Sequence, residues 1–157
     1  MEHAQLTALR ENLIELLDGR SAHIDVASAL DGFPLDRINE KVIGSPHTAW
    51  QLLEHIRLAQ WDIIDFSINP NYKEMDWPDD YWPTADGSEE DWRRSVERTL
   101  ADLDKMKDLV RDPHSDLFRS LEHGSGQTLL REAMLVADHN SYHIGQLVLL
   151  RRIFENS

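Results

Sequence analysis

Towards its C-terminus the chain reads Asp138-His139-Asn140-Ser141-Tyr142-His143 and continues as an apolar run from Ile144 to Leu150. On an α-helix, two histidines four residues apart leave the same face one turn apart, where both can chelate a single metal ion. That face also carries Leu135 and Val136 one turn below and Leu147 and Leu150 above. The pair is therefore expected to point towards a bundle interior. Metalloproteases use the same spacing, but with a glutamate directly after the first histidine as general base. Here that position is Asn140, and the protease reading fails. A catalytic type of site needs a third protein ligand. Of the eight histidines, His55 is the other one set in the middle of a long apolar helix. Its helical neighbours at three, four and seven residues are Gln51, Leu52, Leu58, Ala59 and Asp62, a setting that suits a satisfied core histidine as well as a ligand. His23, His114 and His123 read as surface, capping or connector residues.

Composition narrows the chemistry further. The sequence contains no cysteine, which excludes disulfides, zinc–thiolate sites, iron–sulfur clusters and an enzyme thiol as nucleophile. Any metal must be held by nitrogen and oxygen. Lys plus Arg number 16 against 29 Asp plus Glu, a formal net charge of −13, and no basic cluster forms a phosphate-binding stripe. Nucleic acid is not an expected partner. Met1-Glu2-His3-Ala4-Gln5 lacks a basic region followed by an apolar one, and no apolar run approaches 18 residues, so no membrane association and a cytoplasmic location are expected. A chain of 157 residues can bury about 68–70% of its unfolded surface, and one domain over residues 1–157 is expected.

The elements that must position the histidines are helical. Leu6, Leu9, Leu13, Leu16 and Leu17 recur at three- and four-residue steps, predicting a first helix from about Ala4 to Gly19. Ser21 offers a cap for a shorter segment with Ile24, Ala27 and Leu30 on one side. Ser45-Pro46 reads as the start of a second long helix running to about Ile68. Its apolar residues cover more than one stripe, as expected of a central element. Ser88 with Glu89, Glu90 and Asp91 opens a third helix, whose narrow stripe of Trp92, Val96, Thr99, Leu103, Met106 and Val110 places it on the outside. Ser125 or Thr128 caps a fourth helix reaching about Phe154. The segment 69–87, with Tyr72, Trp77, Tyr81 and Trp82, is long and aromatic for a bundle connection. It is expected to fold over one end of the bundle, as a pocket wall or lid or as a plug. No alternating strand pattern competes, and the expected fold class is all-α, a four-helix bundle. His55 lies roughly 14 Å along its helix and His139 and His143 about 16–22 Å along theirs, so all three fall near mid-bundle whichever way the helices run.

Trp50-Gln51-Leu52-Leu53-Glu54-His55, together with His139-Asn140-Ser141-Tyr142-His143-Ile144-Gly145-Gln146-Leu147, resembles the DinB/YfiT-like superfamily of bacterial metal-binding helical bundles. The resemblance covers nearly the whole chain in length and helix order. It implies a four-helix bundle with long crossover connections and one divalent metal ion, commonly nickel or zinc, held by His55, His139 and His143. Members are often dimers. Some relatives use a low-molecular-weight thiol such as bacillithiol, mycothiol or glutathione in S-transfer or isomerisation on a small-molecule substrate. Three neutral imidazoles leave coordination positions open, and a bound ion lowers the pKa of a water or thiol placed there. The absence of cysteine fits a thiol cosubstrate and a metal-dependent hydrolase equally well.

A ligating imidazole usually donates its other N–H to a carboxylate, carbonyl or water. Gln51, Asp62 and Gln146 are the candidates, while Asp138 and Glu54 are rotated about 100° from the ligands they precede. The expected activity is a divalent-metal-dependent reaction on a small molecule, possible as thiol S-transfer to an electrophile or as hydrolysis. The competing expectation is a non-catalytic bundle that keeps the histidines as a structural staple. The larger apolar surface on the first two helices, with the resemblance, predicts a homodimer.

Overall fold

Helix starts in this chain are set by side chains that satisfy the first orphan N–H groups, and those caps define the elements. The computed structural model describes residues 3–157, so Met1 and Glu2 of the N-terminal stretch read above lie outside it. Five α-helices follow in order: α1 (His3–Asp18), α2 (Val26–Leu30), α3 (Ala49–Ile68), α4 (Glu89–Arg111) and α5 (Leu129–Glu155). The second long helix begins at Ala49, not at Pro46. Thr48 and Gln51 form a reciprocal capping box, Thr48 Oγ1 accepting from Gln51 N at 3.2 Å and Gln51 Oε1 from Thr48 N at 3.0 Å. That box satisfies two orphan donors, more than a lone serine before proline can. The Ser45 hydroxyl instead donates to the His47 carbonyl. In the short helix Asp25, not Ser21, is the cap, accepting from both Ser28 N and Ser28 Oγ at 2.9 Å, and Ile24 stays outside the helix and exposed. Thr128 caps α5 and Ser88 caps α4.

The long helices form a bundle in which α3 packs against α4 and α5, and α1 packs against the same two. The pairs α1/α3 and α4/α5 are thus the diagonals. Gln60 meets both Thr99 and Asn140, while Glu54 and Trp50 share a surface hollow with Asp91 and Ser95. At the other end Ser67 and Ile68 lie beside Leu109 and Leu129. Helices α3 and α4 therefore run parallel, and α5 runs antiparallel to both. Arg10 donates to the carbonyls of Val110 and Ser115, and Asp18 pairs with Lys107, which makes α1 antiparallel to α4.

Two consecutive parallel helices need a connection that returns the length of the bundle. Residues 69–88 provide it, running back along the flank of α3 instead of folding over one end. Tyr72 reaches Asp62, Tyr81 reaches His55, and the Trp50 Nε1–H donates to Ala85 O. The apolar core extends from Leu13 and Leu17 through Leu52, Leu53 and Ile56 to Met106, Leu147 and Phe154. α4 buries Trp92, Thr99, Leu103, Met106 and Val110 of the stripe expected of it, with Ser95 buried where Val96 is half-buried. No β-strand occurs among the described residues, only an isolated bridge between Ser120 and Thr128. The fold is all-α, a helical bundle with long crossover connections.

Candidate metal centre

Where α3 and α5 face each other at mid-length, buried polar side chains interrupt the apolar packing. His55 is 2% exposed and His143 is buried, while His139 is partly open to solvent. The structure brings the three imidazoles together: ring centroids lie 4.9 Å apart for His55 and His139, 4.7 Å for His55 and His143, and 4.6 Å for His139 and His143. One ligand atom from each lies within 4.8 Å of the other two, in an arrangement compatible with metal binding.

Partners on the far ring nitrogens decide which atoms face the centre. His55 Nδ1 is 3.0 Å from the Tyr81 carbonyl, which can only accept, so Nδ1 carries the proton and Nε2 keeps its lone pair. His143 Nδ1 lies 2.8 Å from Gln146 Oε1 and donates to it, which leaves its Nε2 free in the same way. His55 Nε2 and His139 Nε2 are 3.1 Å apart. Two nitrogens each about 2.0–2.1 Å from one tetrahedral ion are separated by about 3.3–3.4 Å, so the pair already has nearly the spacing a shared cation requires. The donor set, all imidazole nitrogen, suits zinc, nickel, copper or iron.

Burial holds these rings neutral. Desolvation lowers the pKa of His55, against the Tyr81 carbonyl bond, which raises it. Desolvation also lowers that of His143, with the Gln146 bond opposing. His139 is pushed down to about 4, first by desolvation and then by the neighbouring His143 and His55. Neutral imidazole is the form that binds a cation.

Gln146 is placed as expected of an orienting partner. Gln51 is not, because the capping box occupies it. Asp62 acts at one remove: its carboxylate accepts from the Tyr72 hydroxyl at 2.9 Å and the Tyr81 hydroxyl at 2.6 Å, anchoring the returning segment whose Tyr81 carbonyl holds His55. Glu54 pairs with Arg57, and Asp138 is exposed. Of the aromatic residues read as a wall, Tyr81 is buried and serves as this anchor. Trp82 stacks on His55 at 3.8 Å, and the exposed Trp77 stands 6.2 Å from the same ring. His47, which the sequence did not single out, stacks on Trp82 at 3.8 Å. Nothing periodic relates a residue before a helix to a loop tryptophan 35 positions later, so this contact had no sequence signal. His47 and Gln146 also border an apolar groove of about 280 Å³ lined by Val42, Ile43, Leu52 and Leu149. His23, His114 and His123 are exposed and lie outside the cluster.

The family model described as DinB superfamily matches residues 5–147. Comparison with curated proteins and with solved structures gave no match.

Proposed function

The chain belongs to the DinB superfamily, and we propose that it is a divalent-metal-dependent enzyme acting on a small electrophilic molecule with a low-molecular-weight thiol as cosubstrate. The observation that carries this reading is the convergence of His55, His139 and His143, with no Cys, Asp or Glu in the cluster among the described residues. Three neutral ligands leave a bound ion its full positive charge and at least one open position, as in catalytic sites; a structural site closes its coordination shell. Zinc or nickel would supply Lewis acidity there, lowering the pKa of a small thiol, or of water, at the open position.

The chain's own residues do the rest. The Tyr81 carbonyl and Gln146 Oε1 keep the protons of His55 and His143 on Nδ1. Trp82 shields one face of His55 from water, and the exposed Trp77 stands 6.2 Å from the same ring. The sulfur forms a bond to the electrophilic carbon while the leaving group departs, and the thiol proton passes to solvent. A cytoplasmic setting, where small thiols are kept reduced, belongs to the same proposal.

Elemental analysis of the purified protein should find about one divalent ion per chain, and His55→Ala, His139→Ala and His143→Ala should each lose most of it. Full occupancy in His55→Ala would remove His55 from the ligand set. Cobalt- or nickel-substituted protein should show a thiolate charge-transfer band on adding the right thiol among bacillithiol, mycothiol, glutathione and coenzyme A. An unperturbed spectrum together with metal-dependent ester or amide hydrolysis would replace the transferase reading by the hydrolase one. A closed four-coordinate ion, seen by X-ray absorption, would overturn both in favour of a structural staple.

A further inference from the structure

The groove beside the centre differs from the rest of the chain in its charge. Asp, Glu, Lys and Arg make up 29% of the sequence, yet none of them lines this groove of about 280 Å³. We infer that it receives an uncharged aliphatic chain of about eight carbons, the tail of the electrophile whose reactive carbon meets the thiol at the metal centre. The inference rests on the thiol-transfer reading above and names the class of its second substrate.

The groove has one polar end and one apolar end. His47 and Gln146 stand at the polar end, and both connect to the centre. Gln146 Oε1 accepts from His143 Nδ1 at 2.8 Å, and His47 is joined to His55 through the Trp82 ring, 3.8 Å from each. With its oxygen engaged by His143, the Gln146 amide keeps its Nε2 donors for another acceptor, and no protein group takes them among the described residues. An oxygen next to the electrophilic carbon can accept there. Burial, and then the neighbouring His143, lower the pKa of His47, so this end is also uncharged at neutral pH. From Gln146 the groove follows α5 through Leu149 and Leu150 to Ile153, with Val42 and Leu52 completing its wall. Seven residues of helix rise about 10 Å. An extended chain advances about 1.2 Å per bond, so about eight carbons reach from one end to the other. Leu52 and Leu150 are buried and make the floor, while Ile43, Leu149 and Ile153 are exposed along the rim. A second copy that meets only the rim leaves the floor to the chain.

The lining decides which of the two substrates enters. Bacillithiol, mycothiol, glutathione and coenzyme A all carry charged or sugar groups, and burying those against leucine without partners is unfavourable. An alkyl chain gains about three- to fourfold in affinity for each methylene fully buried. The thiol is therefore left to the open side of the centre, and the groove to the electrophile.

Methyl NMR of the metal-free protein, titrated with N-butyl-, N-hexyl- and N-octylacetamide, tests the groove without any reaction. The signals of Val42, Leu52, Leu149, Leu150 and Ile153 should shift, and Kd should fall about two- to fourfold per methylene up to the octyl chain. Octanoate should bind at least tenfold more weakly than N-octylacetamide. Leu149→Glu puts a charge on the exposed rim and should weaken the octyl ligand at least tenfold. Shifts confined to other residues, affinity that ignores chain length, or unchanged binding in Leu149→Glu overturns the inference. If the same methyls shift on raising the protein concentration alone, and octyl binding is lost, the groove belongs to a second copy and the inference falls. Zinc-loaded protein with a low-molecular-weight thiol and terminal epoxides from butyl to decyl completes the test. There the sulfur–carbon bond forms as the ring C–O bond breaks, and the alkoxide takes up a proton in place of the one the thiol released. The value of kcat/KM should rise with chain length to about eight carbons in the parent and stay flat in Leu149→Glu. Turnover without chain-length dependence keeps the thiol reading and removes the groove from it. Octyl binding without turnover by any thiol keeps the aliphatic ligand and removes the thiol reading.

Discussion

Two imidazoles of the centre are held by different kinds of partner, and the difference governs how the site responds to change. A backbone carbonyl holds His55, so no single side-chain replacement removes its partner directly, whereas His143 depends on the amide of Gln146. Protons compete with the whole cluster. His139 titrates near 4 and the other two below the ordinary 6.5. In the unfolded chain all three would titrate near 6.5. Their folded values are depressed, so below about 6.5 the unfolded state binds protons that the folded state refuses. The metal-free protein should therefore lose stability as pH falls from about 6.5 towards 4, with this contribution fully present above about 7. Urea midpoints at pH 7.5, 6.0 and 5.0 measure it. A His139→Gln variant should lose less over that window, and equal slopes would assign the acid sensitivity to other groups. At this scale much of the centre was legible: the His139/His143 spacing is local, and His55 stood out by its place in an apolar helix. His47 and Trp82 were not, because their contact depends on the path of the returning segment.

That path is the element on which the centre leans. Residues 69–88 carry the Tyr81 carbonyl and the Trp82 ring to His55, and the segment is fastened on both sides of them. Upstream, Asp62 accepts from two tyrosine hydroxyls. Downstream, Asn39 and Gly87 bond each other in both directions, Asn39 Nδ2 donating to Gly87 O and Gly87 N to Asn39 Oδ1. Gly87 lies so close to the buried Trp50 indole that an added Cβ would come within 2.4–2.8 Å of three ring atoms. Trp50 is packed in the core and cannot yield cheaply. Gly87→Ala should thus cost about 1–3 kcal/mol by overpacking and also weaken metal binding, because the shifted segment carries the His55 partner with it. Chemical denaturation and a zinc titration on one variant check both, and unchanged zinc affinity would detach the segment from the centre. Helix boundaries were legible to within a few residues, since periodicity and capping chemistry are local. The parallel run of α3 and α4 was not, because a helix stripe carries no information about direction. The length of the connection was its one visible trace, and its aromatic residues suggested a cap on the bundle's end where they form a flank.

For the molecule as a whole, leucine-rich stripes without strand alternation made the all-helical class readable, while the diagonal placement of α1 against α3 depends on packing between distant segments. The first two helices were the surface expected to carry a homodimer; we propose instead the face where Ile43, Leu149 and Ile153 remain exposed beside the apolar groove. Sedimentation showing a monomer over a broad concentration range would reject it. Metal and fold should also be coupled globally. His55 on one helix and His139 and His143 on another converge only in the folded chain, so a cation that needs all three binds the native state. At a free concentration of about 100 times its Kd it should stabilise the fold by about 2.7 kcal/mol. For a chain of this size that is a rise in Tm of about 5–11 °C. A formal charge of −13 complicates the experiment, since any divalent ion can relieve repulsion on so acidic a surface. Magnesium is the control, because it prefers oxygen ligands and shares the surface effect without suiting three imidazoles. Zinc should raise the Tm well beyond an equal concentration of magnesium in the parent protein, and His139→Ala should bring the two ions level. An equal rise from both in the parent would place the bound charge on the surface carboxylates and leave the histidine centre without its cation.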